Sequence, residues 1–297
     1  MKIKKYGAID IGSNAVRLLI ANVIEQKNKE PQFKKSSLVR VPIRLGADAF
    51  VSGSISQGNI TRMLDAMKAF KLLMNVHGVE KYKACATSAM REAENGDEVA
   101  KTILQETSID IDIIDGKKEA AIISSTDLNQ LIESDATYLY VDVGGGSTEF
   151  TLFSKGKIIN SKSFKIGTVR LINNKKSENK AIFKKVQEWI EENTLNYKRV
   201  SLIGSGGNIN KIFKMSGREV GKPISYIYLN AQYQFLKNMT YKERISELSL
   251  NPDRADVIVP ATKIYLSAMK WSGARKIFVP KIGLSDGIIK SLYLNKL

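Results

Sequence analysis

Residues 138–149 read Tyr-Leu-Tyr-Val-Asp-Val-Gly-Gly-Gly-Ser-Thr-Glu. A short apolar strand runs into Asp142, three glycines, a Ser-Thr pair and Glu149. Glycines that directly follow a strand form a tight turn whose backbone N–H groups can close on an anion. Two carboxylates beside that turn would repel a phosphate unless a cation stood between them, so the stretch predicts bound Mg²⁺. A plain hairpin turn with an acidic tip is the alternative interpretation.

Two other stretches have the same construction. Residues 10–14 (Asp-Ile-Gly-Ser-Asn) end one apolar strand, and residues 204–208 (Gly-Ser-Gly-Gly-Asn) follow another. Together the three loops offer backbone amides, small hydroxyls and carboxylates, which are the groups that hold a phosphate chain with Mg²⁺. They match neither the Walker A pattern nor the glycine pattern of dinucleotide-binding proteins. The sequence therefore predicts a phosphate site at a domain interface.

The size and charge of the chain limit the possible functions. Its 297 residues are enough for two domains. Hydrophobic residues make up 43% and charged residues 26%, which is typical of a globular protein. Lys and Arg total 46 against 30 acidic residues, a net charge of +16. Such a charge favours a polyanionic partner: nucleic acid, an anionic membrane or a phosphate polymer.

The rare residue types narrow the choice of compartment and metal. The sequence has no apolar run of bilayer length, and we expect neither a signal peptide nor a membrane partner. The single cysteine, Cys85, lies in an apolar run and predicts a buried thiol in a reducing cytoplasm. The single histidine, His77, has no Cys or His cluster near it, which argues against zinc chemistry and a Ser-His-Asp triad. Any metal should be held by oxygen.

The hydrophobic periodicity predicts one order of elements that occurs twice. In the first half we expect strands and helices at 6–12, 16–23, 38–45, 60–74, 81–86, 97–105, 109–114 and 117–131. Residues 24–35, between the second and third of these elements, are expected to form a polar loop or a strand edge. From Thr137 the pattern restarts, with elements at 138–143, 148–153, 158–166, 179–192, 200–203, 208–215, 233–238, 241–248, 256–269, 276–280 and 284–297.

This repetition predicts two α/β domains of similar topology that face each other across a cleft. We place the first domain at residues 1–125 and the second at 126–297. The last helix, at about 284–297, is able to pack back on the first domain.

Several motifs carry a resemblance to a known family. They occur in order from residue 6 to about 293, at 10–18, 86–95, 142–149, 166–171, 204–207, 254–257 and 283–287. In these motifs the chain resembles the exopolyphosphatase and guanosine pentaphosphate phosphohydrolase (Ppx/GppA) family. That family belongs to the actin, Hsp70 and sugar-kinase superfamily. The resemblance implies two ribonuclease-H-like domains flanking an interdomain cleft, and a homodimer.

The resemblance also implies roles for individual residues. Glu119 matches the catalytic carboxylate that orients or deprotonates the attacking water, and Glu149 matches the second catalytic carboxylate. Asp10, Asp142 and Glu149 are expected to hold Mg²⁺, the implied cofactor. The remaining matches are expected to bind phosphate: Ser13, Asn14, Arg17, Arg91, Gly144, Gly145, Gly146, Ser147, Thr148, Gly206 and Gly207.

Some of these residues have a simpler interpretation, and some positions depart from the family pattern. In the simpler interpretation, Glu119 does no more than interact favourably with the dipole of its helix, and Arg17 and Arg91 form salt bridges. Residues 117–118 are lysines, which would lower the pKa of Glu119 if they lay close to it. Ala15 stands where relatives often have serine. Asn208 replaces a usual threonine and residues 285–286 (Ser-Asp) replace a usual Arg-Glu pair, which leaves nucleotide use open.

We therefore expect a cytoplasmic enzyme that releases terminal orthophosphate from inorganic polyphosphate with Mg²⁺. Removal of the 5′ γ-phosphate of guanosine pentaphosphate at the same site is an alternative, and a non-catalytic sensor of either ligand is another. The sequence lacks an aromatic-basic RNA platform, so no nucleic-acid partner is expected. A sugar kinase would need a nucleoside pocket and a sugar-binding insert, for which the chain has no room.

Overall fold

The computed structural model describes residues 1–126 and 136–297. These residues belong to two units, the first made of Met1–Thr126 with Leu284–Leu297 and the second of Asp127–Gly283. Within the described ranges, no helix combines the length and the apolar character needed to cross a bilayer.

The first unit is built on a five-stranded mixed sheet. Its elements up to residue 126 are β1 (Lys2–Ile11), β2 (Val16–Glu25), β3 (Gln32–Val41), α1 (Leu45–Ala49), α2 (Gln57–His77), β4 (Lys81–Ala86), α3 (Ser88–Glu92), α4 (Gly96–Thr107), β5 (Ile111–Ile113) and α5 (Gly116–Ser124). The strand order is β3-β2-β1-β4-β5. β1, β2 and β3 are antiparallel neighbours, whereas β4 and β5 run parallel to β1.

The core of this unit lies between the sheet and its helices. Residues 6–11 of β1 are all buried, as expected for a central strand that is covered on both faces. The stripe at 60–74 lies on α2, and Met63, Met67, Phe70 and Met74 are buried in this core, which confirms the predicted helix and its apolar face.

The predicted third strand is wrong in its position. The sequence predicts a loop or strand edge at 24–35 and a strand at 38–45, whereas β3 covers Gln32–Val41 and pairs with β2. β3 is an edge strand that has no buried residue and mostly polar side chains, so its apolar alternation is too weak to reveal it. Leu45 begins α1 instead of ending the strand.

The second unit repeats the plan with six strands. Its elements are β6 (Thr137–Val143), β7 (Thr148–Ser154), β8 (Lys157–Phe164), α6 (Thr168–Asn173), α7 (Lys176–Thr194), β9 (Val200–Ser205), α8 (Gly207–Met215), β10 (Ile224–Ser225), α9 (Tyr226–Asn238), α10 (Tyr241–Ser246), α11 (Pro252–Ala255), α12 (Ile258–Trp271) and β11 (Lys276–Phe278). The strand order is β10-β11-β9-β6-β7-β8. β6, β7 and β8 form an antiparallel meander, and β9 and β11 run parallel to β6.

The two sheets therefore share one topology. A three-stranded antiparallel meander comes first, and two parallel strands are then added beside its first strand; β10 is an addition at the edge of the second sheet. Both sheets carry helices, so the predicted α/β class with two similar domains is confirmed. The predicted helix at 117–131 is present as α5, and its last part falls outside the described residues. The short elements α6, β10 and α11 were absent from the prediction.

The last helix, α13 (Leu284–Tyr293), belongs to the first unit. It packs against β1 and α5, and the Tyr293 ring meets the edge of Phe33 with 5.6 Å between centroids. Gly287 allows the close approach, because a Cβ there would lie 2.3 Å from the Ile122 carbonyl oxygen. The helix is thus an integral part of the unit that contains β1.

Candidate functional site

In the first unit, the predicted site residues lie at one edge of the sheet. β1, β4 and β5 are parallel, so their carboxyl ends meet there, and ligands of open α/β sheets bind at such edges. The segments that leave these strands are hydrogen-bonded. Thr87 N–H donates to the Ile11 carbonyl at 3.1 Å, and Ile114 N–H donates to the Ala86 carbonyl at 2.9 Å. The turn after β1, helix α3 and helix α5 are therefore neighbours.

Asp10 near the end of β1 is buried and faces Arg17 of β2 across the hairpin. The Arg17 Nη1 and Asp10 Oδ2 atoms are 3.1 Å apart. Burial raises the pKa of Asp10 above its usual range, although the charge and hydrogen bond of Arg17 and a hydrogen bond from Ser285 oppose the rise. The Arg17 side chain stays 36% exposed, so part of the guanidinium remains accessible to an anion.

The turn between β1 and β2 is held from both sides. The Ser13 carbonyl accepts from Gly46 N–H at 2.8 Å, and the Asn14 carbonyl accepts from Arg44 N–H at 3.1 Å. The buried hydroxyls of Ser13 and Ser88 are 2.9 Å apart, which links this turn to the start of α3. Two of the predicted phosphate-binding residues, Ser13 and Asn14, thus sit in a turn with a fixed backbone.

Arg91 on α3 makes a contact that positions the neighbouring helix. Its Nη1 donates to the Ile114 carbonyl at 2.7 Å. Asp115, the next residue, is the N-cap of α5, and its carboxylate accepts from Lys118 N–H at 2.7 Å. Arg91 therefore braces the start of α5, and phosphate binding by this residue stays a prediction.

Glu119 lies in the first turn of α5 and is only 8% exposed. The neighbouring Lys118 turns its ammonium to Asp112, with 2.7 Å between Nζ and Oδ2. This hydrogen bond raises the pKa of Lys118. Lys83 approaches the same Asp112 oxygen at 3.4 Å, so Asp112 joins β4 to the helix that carries Glu119.

The second unit places two predicted carboxylates side by side. Asp142 of β6 faces Glu149 of β7 across the second hairpin. Glu149 is buried, and its Oε1 accepts hydrogen bonds from Ser147 Oγ at 2.7 Å and from Ser163 Oγ at 2.8 Å. Ser163 is its cross-strand neighbour on β8. The Glu149 carboxylate is therefore held in a fixed orientation beside Asp142.

The glycine turn after β6 is bound through its carbonyl groups. The Gly144 carbonyl accepts from Thr168 N–H at 3.0 Å, and the Gly145 carbonyl accepts from Val169 N–H at 2.9 Å. The Gly146 carbonyl accepts from Arg170 Nε at 2.9 Å. The carbonyl and the following N–H of a trans peptide point in opposite directions. Three successive amides, at residues 145–147, therefore point away from α6.

Close packing fixes this turn against α6. A Cβ at Gly167 would lie 2.3 Å from the Gly145 carbonyl oxygen and 2.4 Å from the Gly146 nitrogen, so only glycine fits there without a shift. Thr148 is fully buried, and its hydroxyl donates to the Ile166 carbonyl. Its side chain is thus committed to the loop before α6, and a phosphate contact from that hydroxyl stays a prediction.

The third loop lies beside Asp142. Gly206 has a φ of +116°, and a Cβ there would be 3.6 Å from Asp142 Oδ1. Two buried tyrosines lie nearby, and burial, together with the charge of Asp142, raises the pKa of both Tyr140 and Tyr265 well above the usual range. Residues 206–207 begin α8, where the helix dipole favours an anion.

The donor set of the second unit suits Mg²⁺. Mg²⁺ is usually bound by one or two carboxylates together with water and substrate phosphates, and Asp142 and Glu149 supply two adjacent carboxylates. Among the described residues, no group of three or more His, Cys, Asp or Glu side chains is placed to hold a metal. Asp10, the third predicted ligand, belongs to the first unit. The Mg²⁺ site stays a prediction.

Sequence reasoning missed several residues that support these positions. The Ser88 hydroxyl forms a hydrogen bond with Ser13, and the Ser163 hydroxyl forms one with Glu149. The Ser285 side chain forms a hydrogen bond with Asp10. The hairpin register could have indicated Ser163, because it lies opposite Glu149 on the next strand. Ser285 lies far along the chain, and no local pattern connects it with Asp10.

Known proteins resemble this chain over nearly its full length. A bifunctional 3-dehydroquinate synthase/phosphatase of Fusobacterium nucleatum is 34% identical over 92% of the chain, and the chain spans 44% of that relative's length. Exopolyphosphatase 2 of Mycobacterium tuberculosis is 24% identical, with 98% of the chain and 99% of the relative covered.

A solved structure agrees in fold. An exopolyphosphatase from Cytophaga hutchinsonii superposes with a TM-score of 0.86 at 25% identity, with 98% of each chain covered. The profile of the Ppx/GppA phosphatase family matches residues 23–296. The family predicted from the sequence motifs is thus confirmed, and with it the α/β fold class with two domains of similar topology. This chain belongs to the Ppx/GppA phosphatase family.

Proposed function

We propose that this protein is an exopolyphosphatase that hydrolyses the terminal phosphoanhydride of inorganic polyphosphate and releases orthophosphate. The observation that carries the proposal is the turn at residues 144–147. Its carbonyl groups are bound by α6 and Arg170, so its amides are directed the other way, beside the Asp142–Glu149 pair. Amides that can bind phosphate oxygens, next to carboxylates that can bind a cation, suit a phosphate chain accompanied by a metal ion.

The side chains would divide the chemistry of hydrolysis among them. Asp142 and Glu149 would hold Mg²⁺, which supplies charge neutralisation on the phosphoryl group when bound. Glu119 would orient or deprotonate the attacking water. Arg17, which is partly exposed, would contact a phosphate oxygen.

The charge of the protein supports a polymeric substrate. The net charge of +16 would attract a long polyanion and raise its rate of association at low salt. Related proteins named exopolyphosphatases cover nearly the whole chain. Guanosine pentaphosphate presents a similar terminal phosphoanhydride, so it is the competing substrate that an experiment must include.

A phosphate-release assay tests the proposal. Long-chain polyphosphate, guanosine pentaphosphate and ATP are compared at equal concentration of terminal groups, with Mg²⁺ and with EDTA. We expect the highest kcat/KM with polyphosphate, and no release in EDTA. A higher kcat/KM with guanosine pentaphosphate would favour the alternative substrate, and binding of polyphosphate without release would indicate a sensor.

A further inference from the structure

Tyr265 of α12 contacts the ends of two strands of the second unit. Its side chain is fully buried, and its hydroxyl donates a hydrogen bond to the carbonyl of Ser205, the last residue of β9. Val143, the last residue of β6, lies beside the same hydroxyl, because a Cβ at Gly206 would meet both the Val143 carbonyl oxygen and the Tyr265 hydroxyl. These residues immediately precede the glycine turns at 144–146 and 206–207. The hydroxyl thus binds the end of β9 and lies close to the end of β6, where the two turns begin.

The bond to Ser205 also sets the direction of the next amide. The Ser205 carbonyl and the Gly206 N–H belong to one trans peptide, so they point in opposite directions. Because the carbonyl points to Tyr265, the Gly206 N–H points away from it. A Cβ at Gly206 would lie 3.0 Å from the Val143 carbonyl oxygen and 3.3 Å from the Tyr265 hydroxyl, so the turn is packed directly on this side chain.

We propose that Tyr265 is a positioning residue for anion binding. Its hydroxyl orients the Gly206 amide. It also fixes the position of the glycine turn at 206–207 relative to the turn at 144–146. A phenylalanine would fill the same buried space, so packing alone does not require the hydroxyl. The inference rests on the proposed function, since it concerns the phosphate contacts of the same site.

The Tyr265→Phe variant tests this role, with Tyr138→Phe as the matched control. Tyr138 is also buried and lies on β6, at the end remote from the glycine turn. Two quantities are measured: KM for polyphosphate in phosphate release, and Kd for inorganic tripolyphosphate with Mg²⁺ by calorimetry. We expect Tyr265→Phe to raise both by roughly tenfold with a smaller change in kcat, because the buried Ser205 carbonyl loses this hydrogen bond and the Gly206 amide loses its orientation. Tyr138→Phe should keep the wild-type values.

The possible results separate the inference from the proposed function. Phosphate release by the wild type with an unchanged Kd in Tyr265→Phe would overturn the inference and leave the function intact. Tripolyphosphate binding without hydrolysis would overturn the function, and the Kd of Tyr265→Phe would still decide the inference. If Tyr265→Phe does not fold, the ¹⁵N-labelled wild type is titrated with tripolyphosphate. A shift of the Gly206 amide resonance supports the inference, and an unmoved resonance overturns it.

Discussion

Asp10 and Arg17 face each other across the first hairpin, with 3.1 Å between Oδ2 and Nη1. In the second unit, the corresponding hairpin places Asp142 opposite Glu149 at the same separation along the chain. An acid opposite a base is compensated within the protein, whereas two adjacent acids favour a bound cation. Two sheets of the same topology therefore present different chemistry at the same edge.

Replacement of Glu119 tests the proposed base. Glu119→Gln keeps the size of the side chain and its place in the first turn of α5 but removes the carboxylate. We expect phosphate release to fall by about 10²-fold or more, since general-base catalysis supplies factors of this order. Polyphosphate binding should remain, because the base acts on water. Phosphate release and equilibrium binding are measured on the same preparation.

Glu98→Gln is the matched control for this variant, because Glu98 is an exposed glutamate in the first turn of α4 in the same unit. It should retain wild-type phosphate release. Unchanged turnover in Glu119→Gln would remove Glu119 from the mechanism.

Replacement of Asp142 tests the proposed metal site. Asp142→Asn removes one of two adjacent carboxylates, so the Mg²⁺ concentration for half-maximal phosphate release should rise by at least about tenfold. The increase in unfolding temperature that Mg²⁺ produces should shift to higher concentration in the same way. Asp110→Asn, at an exposed position before β5, should behave as the wild type. An identical Mg²⁺ dependence in Asp142→Asn would contradict the metal role.

Replacement of Gly167 tests the packing of the glycine turn. Gly167→Ala would place a Cβ 2.3 Å from the Gly145 carbonyl oxygen, and the backbone would have to move. We expect about 1–3 kcal/mol of destabilisation in a denaturant titration, with weaker tripolyphosphate binding. Gly58→Ala on α2 is the control, because a Cβ there has no neighbour within 4 Å. That control should not destabilise the protein, and equal stability of the two variants would refute the argument.

The thiol of Cys85 should be unreactive in the native protein. Burial raises its pKa to about 12, so the thiolate is scarce at pH 8. Iodoacetamide should modify Cys85 only after unfolding, and a Cys85→Ala variant gives the background. Because the native pKa lies above that of an unfolded thiol, the stability that Cys85 contributes is complete below the unfolded pKa. It is lost as the pH rises towards about 12. Rapid labelling of the native protein at pH 8 would contradict this expectation.

The sequence predicted the repeated topology and the family because glycine turns and acidic residues follow strongly apolar strands. β1 and β6 are central strands, and their buried runs give a clear signal. β3 gave no such signal, because an edge strand keeps most of its side chains in water and its polar residues resemble a loop.

The supporting contacts of the candidate site were less predictable. Tyr265 reaches Ser205 from a position 60 residues further along the chain, and only the packing of α12 brings the two together. Arg91 was expected to bind phosphate, yet its hydrogen bond to the Ile114 carbonyl depends on how α3 meets the end of β5. Local patterns identify the groups that suit a chemistry, whereas long-range packing decides what holds them.

The position of α13 in the first unit has a consequence for synthesis on the ribosome. The segment Asp127–Gly283 is contiguous, so the second unit can begin to fold while the rest of the chain is still being made. The first unit lacks the helix that packs on β1, and with it the Ser285 hydroxyl beside Asp10, until translation has passed Tyr293. We therefore expect the β1–β2 hairpin that carries Asp10 to be synthesised early. The residues that surround Asp10 in the native structure are complete only at the end of translation.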